Sequence, residues 1–145
     1  MKNAAIATVL LTLGLYAGCA TTYRGTFTAA DTFESSVAEF ATRTCYEPGA
    51  VCSAAVQLSG RAQEFREALD SAGDQDIISA YKQLWRSYQS LRGEVYRLSD
   101  KQLRQDLQPT VRAFASVKRN VTTRYSSADP ALYANGAYTF DPYYN

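Results

Sequence analysis

The sequence predicts an all-α fold, an up-and-down bundle of about four helices followed by an irregular, aromatic-rich C-terminal tail. Three observations carry this expectation. Four successive segments repeat apolar residues at alternating steps of four and three, the period of a helix that buries one stripe. Short stretches holding Pro, Gly or Asp separate these segments, and short connections make neighbouring helices antiparallel. No alternation of apolar and polar residues, the mark of a strand, competes with the helical pattern before residue 130.

The first helix is expected from about Asp31 to Thr44, with Phe33, Val37, Phe40 and Ala41 on one face and Thr28 or Asp31 as its cap. The second runs from about Val51 to Ser71 on Val51, Ala55, Leu58, Ala62, Phe65 and Leu69, and Gly73 ends it. Its small alanines permit close approach. The third starts after Asp74 or Asp76 and carries Ile77, Tyr81, Leu84, Tyr88, Leu91, Val95 and Leu98. The fourth opens on Ser99-Asp100-Lys101-Gln102, a capping-box pattern, and continues with Leu103, Leu107, Val111, Phe114, Val117 and Val121. Pro109 lies inside it and predicts a kink or a split near Gln108, because proline removes a backbone donor and clashes with the preceding turn. Seams of this spacing pack at crossing angles of about 20°.

The two ends of the chain differ from this middle. Residues 4–17 are almost without polarity, preceded by Lys2 and followed by Ala17, Gly18 and Cys19. A run this short suits the apolar region of a signal peptide better than a membrane span. Leu15-Tyr16-Ala17-Gly18-Cys19 resembles the lipobox of bacterial lipoproteins. The resemblance covers about the first 20 residues. It implies a cut before Cys19, a diacylglycerol thioether on Cys19 and an acylated new amine. It also implies anchoring in the outer membrane, since residue 20 is Ala and not Asp. Several acyl chains anchor stably where one is marginal. The expected division is a signal peptide over 1–18, a tether over 19–29, the bundle over 30–125 and the tail over 126–145. The tether is rich in Thr and contains Gly25. An orientation toward the periplasm is expected, with an outward one as the alternative.

With Cys19 assigned, Cys45 and Cys52 remain as a pair across Pro48-Gly49, a strong turn signal. Export to an oxidising compartment makes a disulfide the expected outcome, stabilising by about 2.5 kcal/mol for so short a loop. The spacing is wrong for a CxxC redox motif. The chain has no His to complete a zinc set, so no metal is expected.

Charge and composition narrow the function. The chain holds 15 basic and 14 acidic side chains, and loss of residues 1–18 leaves it neutral. A neutral domain argues against nucleic acid as a partner. The absence of His and of a spare thiol removes the commonest general base and nucleophile, so no enzyme is expected. Ser79-Ala80-Tyr81-Lys82 fits an SxxK pattern but falls inside an amphipathic helix with no companion motif. Asp74 and Asp76 suit a helix N-terminus better than a calcium loop. Scarcity of Met and His leaves no obvious haem ligand, and no cofactor is expected.

Residues 20–76 carry a net charge of −5 and residues 77–145 a net of +5. Lys82, Arg86 and Arg97 share a face of the third helix, and Arg104, Arg112 and Arg119 form a stripe on the fourth. These six are the candidate surface for an anionic lipid or polysaccharide. The alternative is that the acidic hairpin lies beside the basic one. Trp85 flanks the seam, where core packing competes with an exposed interface role. The tail has no Lys or Arg but holds Tyr133, Tyr138, Phe140, Tyr143 and Tyr144. Solvated disordered tails are poor in aromatics. These five residues are therefore expected either to lie across their own bundle or to dock on a partner. The leading functional expectation is a membrane-anchored, non-enzymatic accessory or assembly subunit of an envelope complex with a protein partner. The alternative is a binding module for an anionic envelope lipid or polysaccharide.

Overall fold

The computed structural model describes residues 4–134, with side chains placed over residues 24–132. The helices are α1 (Ala4–Thr44), α2 (Ala50–Ser71), α3 (Asp74–Arg97), α4 (Lys101–Tyr125) and the single turn α5 (Ala131–Ala134). The four long helices are joined by residues 45–49, 72–73 and 98–100. Such short connections force each helix antiparallel to the one before it. Each helix packs against two neighbours, α1 on α2 and α4, α3 on α2 and α4, and among the described residues no backbone approach bridges a diagonal. The fold is an all-α, four-helix up-and-down bundle.

The seams account for this arrangement. Every seam residue expected on α2 is buried, and so are Phe33, Val37 and Phe40 of α1 and Leu107, Val111, Phe114, Val117 and Val121 of α4. Ala54, Ala55 and Ala62 bring α2 close to both its neighbours. Ala29, Ala30 and Ala113 do the same between α1 and α4. The backbones of α3 and α4 approach least closely. Large rings fill the gap: Tyr88 stacks on Phe114 at 4.0 Å between centroids, and Trp85 lies 5.6 Å from Phe114. Phe33 of α1 meets the same Phe114 edge-on at 5.3 Å. Such pairs add about 0.5–1.5 kcal/mol each beyond the area they bury.

The boundaries of the bundle differ from the sequence reading at both ends. Residues 24–29, expected in the tether, are helical, and one side of them joins the core: Thr26 and Ala29 are buried, with Ala30 after them, and Phe27 packs against the core. Thr28 and Asp31 therefore cap nothing. The hydroxyl of Thr28 donates to the Arg24 carbonyl at 3.0 Å, and that of Thr32 to the Thr28 carbonyl at 2.8 Å. Threonines that satisfy themselves one turn back are compatible with a helix interior. At the other end, residues 126–132 are not tail. Leu132 is 2 % exposed, and the Asp129 carboxylate accepts from the Ala131 amide at 2.9 Å and from Lys82 at 2.6 Å.

Three smaller corrections concern α3 and α4. Leu98 is 53 % exposed because α3 ends at Arg97 and the connection carries Leu98 outward. Asp100, not Ser99, caps α4 by accepting from the Leu103 amide at 3.1 Å. The Gln102 amide reaches forward to Asp106 at 2.9 Å, so the box does not close. Pro109 neither splits nor ends α4. Pro109 and Gln105, whose carbonyl loses its helical donor, are both exposed, so the lost bond does not leave a buried acceptor. On the opposite side of that turn the Thr110 hydroxyl, fully buried, donates to the Ser36 carbonyl of α1 at 3.2 Å.

Candidate functional site

Cys19 lies within α1, seven residues after the helix passes Thr12 and five before Arg24, its side chain outside the described set. Its height relative to the bundle follows from the α1–α4 register. Ser36 faces Thr110, and a Cβ added to Gly25 would lie 3.1 Å from Asn120 Oδ1. The same antiparallel step sets Tyr125, the last residue of α4, level with about residue 20. Helical rise is about 1.5 Å per residue. Residues 4–19 of α1 therefore project by about 24 Å beyond the end of the bundle, and Cys19 stands at its edge. Within residues 24–132 no helix is long and apolar enough to cross a membrane.

Cys45 and Cys52 are joined as a disulfide with 4.9 Å between their Cα atoms. It closes the α1–α2 turn at the end of the bundle opposite Cys19. Tyr46 within this turn is 83 % exposed.

Three of the six cations expected to form one anionic-partner face have partners within the bundle. Lys82 is held by Asp129, Arg97 by Glu94 of its own helix at 2.6 Å, and Arg104 bends back to donate to the Tyr96 carbonyl at 2.9 Å while lying over the Tyr96 ring. The paired Lys82 ammonium and the Ala131 amide hold the Asp129 carboxyl below the ordinary carboxylate range. Arg86 is exposed on α3, apart from Arg112 and Arg119, which are exposed one above the other on α4.

A second basic element escaped the sequence reading. Arg24 of α1, assigned there to the tether, is exposed on the wall of a groove of about 430 Å³ between α1 and α4. Gly25, Thr28, Ala29 and Thr32 line the same wall, and Ser116 of α4 lines the other. Ser116 lies between Arg112 and Arg119 in sequence and on their face of the helix. Only the pairing of α1 with α4 reveals that Arg24 joins this stripe. Two of the three α1 carboxylates are held by other cations: Asp31 turns toward α2, where Arg66 binds it, and Glu39 pairs with Arg43. The hydrogen bond from Arg66 to Asp31 raises the guanidinium's affinity for its proton above the usual value.

Arg92 is the least expected cation. It is 8 % exposed, with its guanidinium 5.7 Å from the rings of both Tyr88 and Tyr96. Trp85 is half-buried, packed on the core with Lys118 5.8 Å over its ring. The α3–α4 seam is thus a row of cations laid over aromatic faces, an arrangement that keeps charge on a ring quadrupole.

Ser79, Asp74 and Asp76 are exposed, and the two aspartates occupy the first turn of α3, where the helix dipole favours them. Among the described residues no three His, Cys, Asp or Glu gather as a metal site. Of the aromatic tail, the Tyr133 side chain and all of Tyr138, Phe140, Tyr143 and Tyr144 lie outside the described residues. Comparison with protein-family models, with curated proteins and with solved structures finds no match.

Proposed function

We propose that the chain is a bacterial lipoprotein, cut before Cys19 and held by acyl chains on that residue in the outer membrane, most simply facing the periplasm. In this reading it is a non-enzymatic accessory or assembly subunit of an envelope complex. The observation that carries it is the way the bundle uses its reactive side chains. The interior is filled by rings around Phe114, while Ser79, Asp74 and Asp76 stand separately on outer faces. A domain built this way acts through its surface.

The test is affinity capture from gently solubilised native envelopes, comparing the full chain with one ending at Ala134. The cut is placed there because Asp129 and Leu132 are part of the bundle. A stoichiometric protein partner bound by the full chain supports the subunit reading, and loss of that partner on truncation gives the aromatic tail its role. No partner in either sample contradicts it. A second reading, a module for an anionic lipid or polysaccharide, is favoured by exposed Arg24 on the wall of the α1–α4 groove and by exposed Arg112 and Arg119 on the face of α4 that carries Ser116.

A further inference from the structure

We infer that the α4 outer face, together with Arg24 across the groove, rests on anionic phospholipid headgroups, so that the bundle lies tilted on its α1–α4 side. The inference relies on the lipid-anchor reading of Cys19 and deepens the second reading above.

The argument starts from heights along α1. Arg24 is five residues, about 7.5 Å, from Cys19. Arg119 is level with about residue 26, one residue beyond the Gly25–Asn120 contact, and so about 10 Å from Cys19. Arg112 is two turns farther, at about 20 Å. A polar headgroup layer is only about 7 Å deep on each side of a bilayer. An upright bundle would leave Arg112 above that layer, whereas a bundle inclined toward α4 brings Arg24, Arg119 and Arg112 down together. Charge favours this inclination over one onto the opposite, α2–α3 side. Helix α4 carries six basic side chains and one acidic, Asp106. The α2–α3 end of the bundle instead presents Asp74 and Asp76, beside Asp70 paired with Arg66. An anionic surface attracts the first side and repels the second. The groove supplies a seat for one phosphate, with Arg24 on one wall and Ser116 on the other.

Each arginine at an anionic surface weights an orientation by about fivefold. Reversing two of them should cut the preference by at least about 25-fold. The test uses the full-length protein in vesicles whose lipids carry a headgroup quencher. A fluorophore is attached through Thr123→Cys, on the exposed side of α4, or through Ser90→Cys, on the exposed side of α3. In vesicles of phosphatidylcholine mixed with phosphatidylglycerol, the probe on α4 should be quenched several-fold more than that on α3. The difference should vanish in pure phosphatidylcholine, shrink as salt rises, and vanish in Arg112→Glu/Arg119→Glu. The salt series on the unreversed protein protects the conclusion from any folding defect of that variant. Equal quenching on both helices in the anionic vesicles, or an α4 preference that persists in pure phosphatidylcholine, overturns the inference. The mass of the Cys19 peptide is read on the same samples. An unmodified Cys19 rejects the anchor, a separate result from the quenching pattern.

Discussion

Phe114 is the residue on which most of the aromatic core converges, touching rings from α1 and α3. Phe114→Ala should cost about 3–5 kcal/mol, measured by denaturant unfolding, because the surrounding rings cannot collapse into the space. Asp129 gives a pH signature. Its folded affinity for a proton is lowered by Lys82 and then by the Ala131 amide, while in the unfolded chain it titrates near the usual 3.9. Its contribution is therefore complete above that value and is lost as pH falls through the lower, folded one. Thermal midpoints of the native chain and of Asp129→Asn should differ at neutral pH and converge in strong acid. A constant gap at all pH values would contradict the role given to the pair. Single residues were legible where burial follows period, as with Leu84 and Val117, both fully buried. They were not legible where the decision is tertiary. Nothing local marks Thr110 as a buried donor to another helix, or Arg92 as a cation seated between two rings.

At the scale of elements, glycine separates two kinds of helix position. Gly60 and Gly93 lie inside helices with no atom within 4 Å of an added Cβ, so alanine there removes backbone entropy from the unfolded chain without a clash. Gly60→Ala and Gly93→Ala together should raise stability by about 1–2 kcal/mol. Gly25 is the contrast, because it sits against Asn120 at the α1–α4 contact. Gly25→Ala should gain less than either Gly60→Ala or Gly93→Ala, because its Cβ must push the Asn120 side chain aside by a few tenths of an ångström; a gain equal to that of Gly60→Ala would mean that Asn120 moves freely. Reduction of the Cys45–Cys52 bridge should cost about 2.5 kcal/mol, read as a lower unfolding midpoint with reductant. Helix number, order and most boundaries followed from the apolar period and from Pro48, Gly49 and Gly73. The start of α1 did not, because the threonines and Gly25 of residues 20–29 weaken local helix preference. What orders that stretch is burial of Thr26, Ala29 and Ala30 against the rest of the bundle, a gain that exists only once the helices meet.

For the molecule as a whole, continuity of α1 changes what a lipid on Cys19 would do. An extended tether over residues 19–29 would reach about 35 Å. With a lipid on Cys19, a helix running unbroken from that residue into the core would leave about one turn between the anchor and the first bundle residue and would hold that end of the bundle at the membrane surface. Any partner of an anchored protein must then approach from the sides or from the far end, where the disulfide turn and exposed Tyr46 lie. Cys19→Ser should shift the protein out of the acylated, outer-membrane fraction. Retention of that variant with the outer membrane would separate residence there from acylation. The measurement that bears most directly on the central claim is the intact mass of the protein extracted from its native membrane. The account predicts a chain that begins at Cys19, lacks residues 1–18 and carries the mass of a diacylglycerol and a further acyl chain. A chain that retains residues 1–18, or one with an unmodified Cys19, would contradict it.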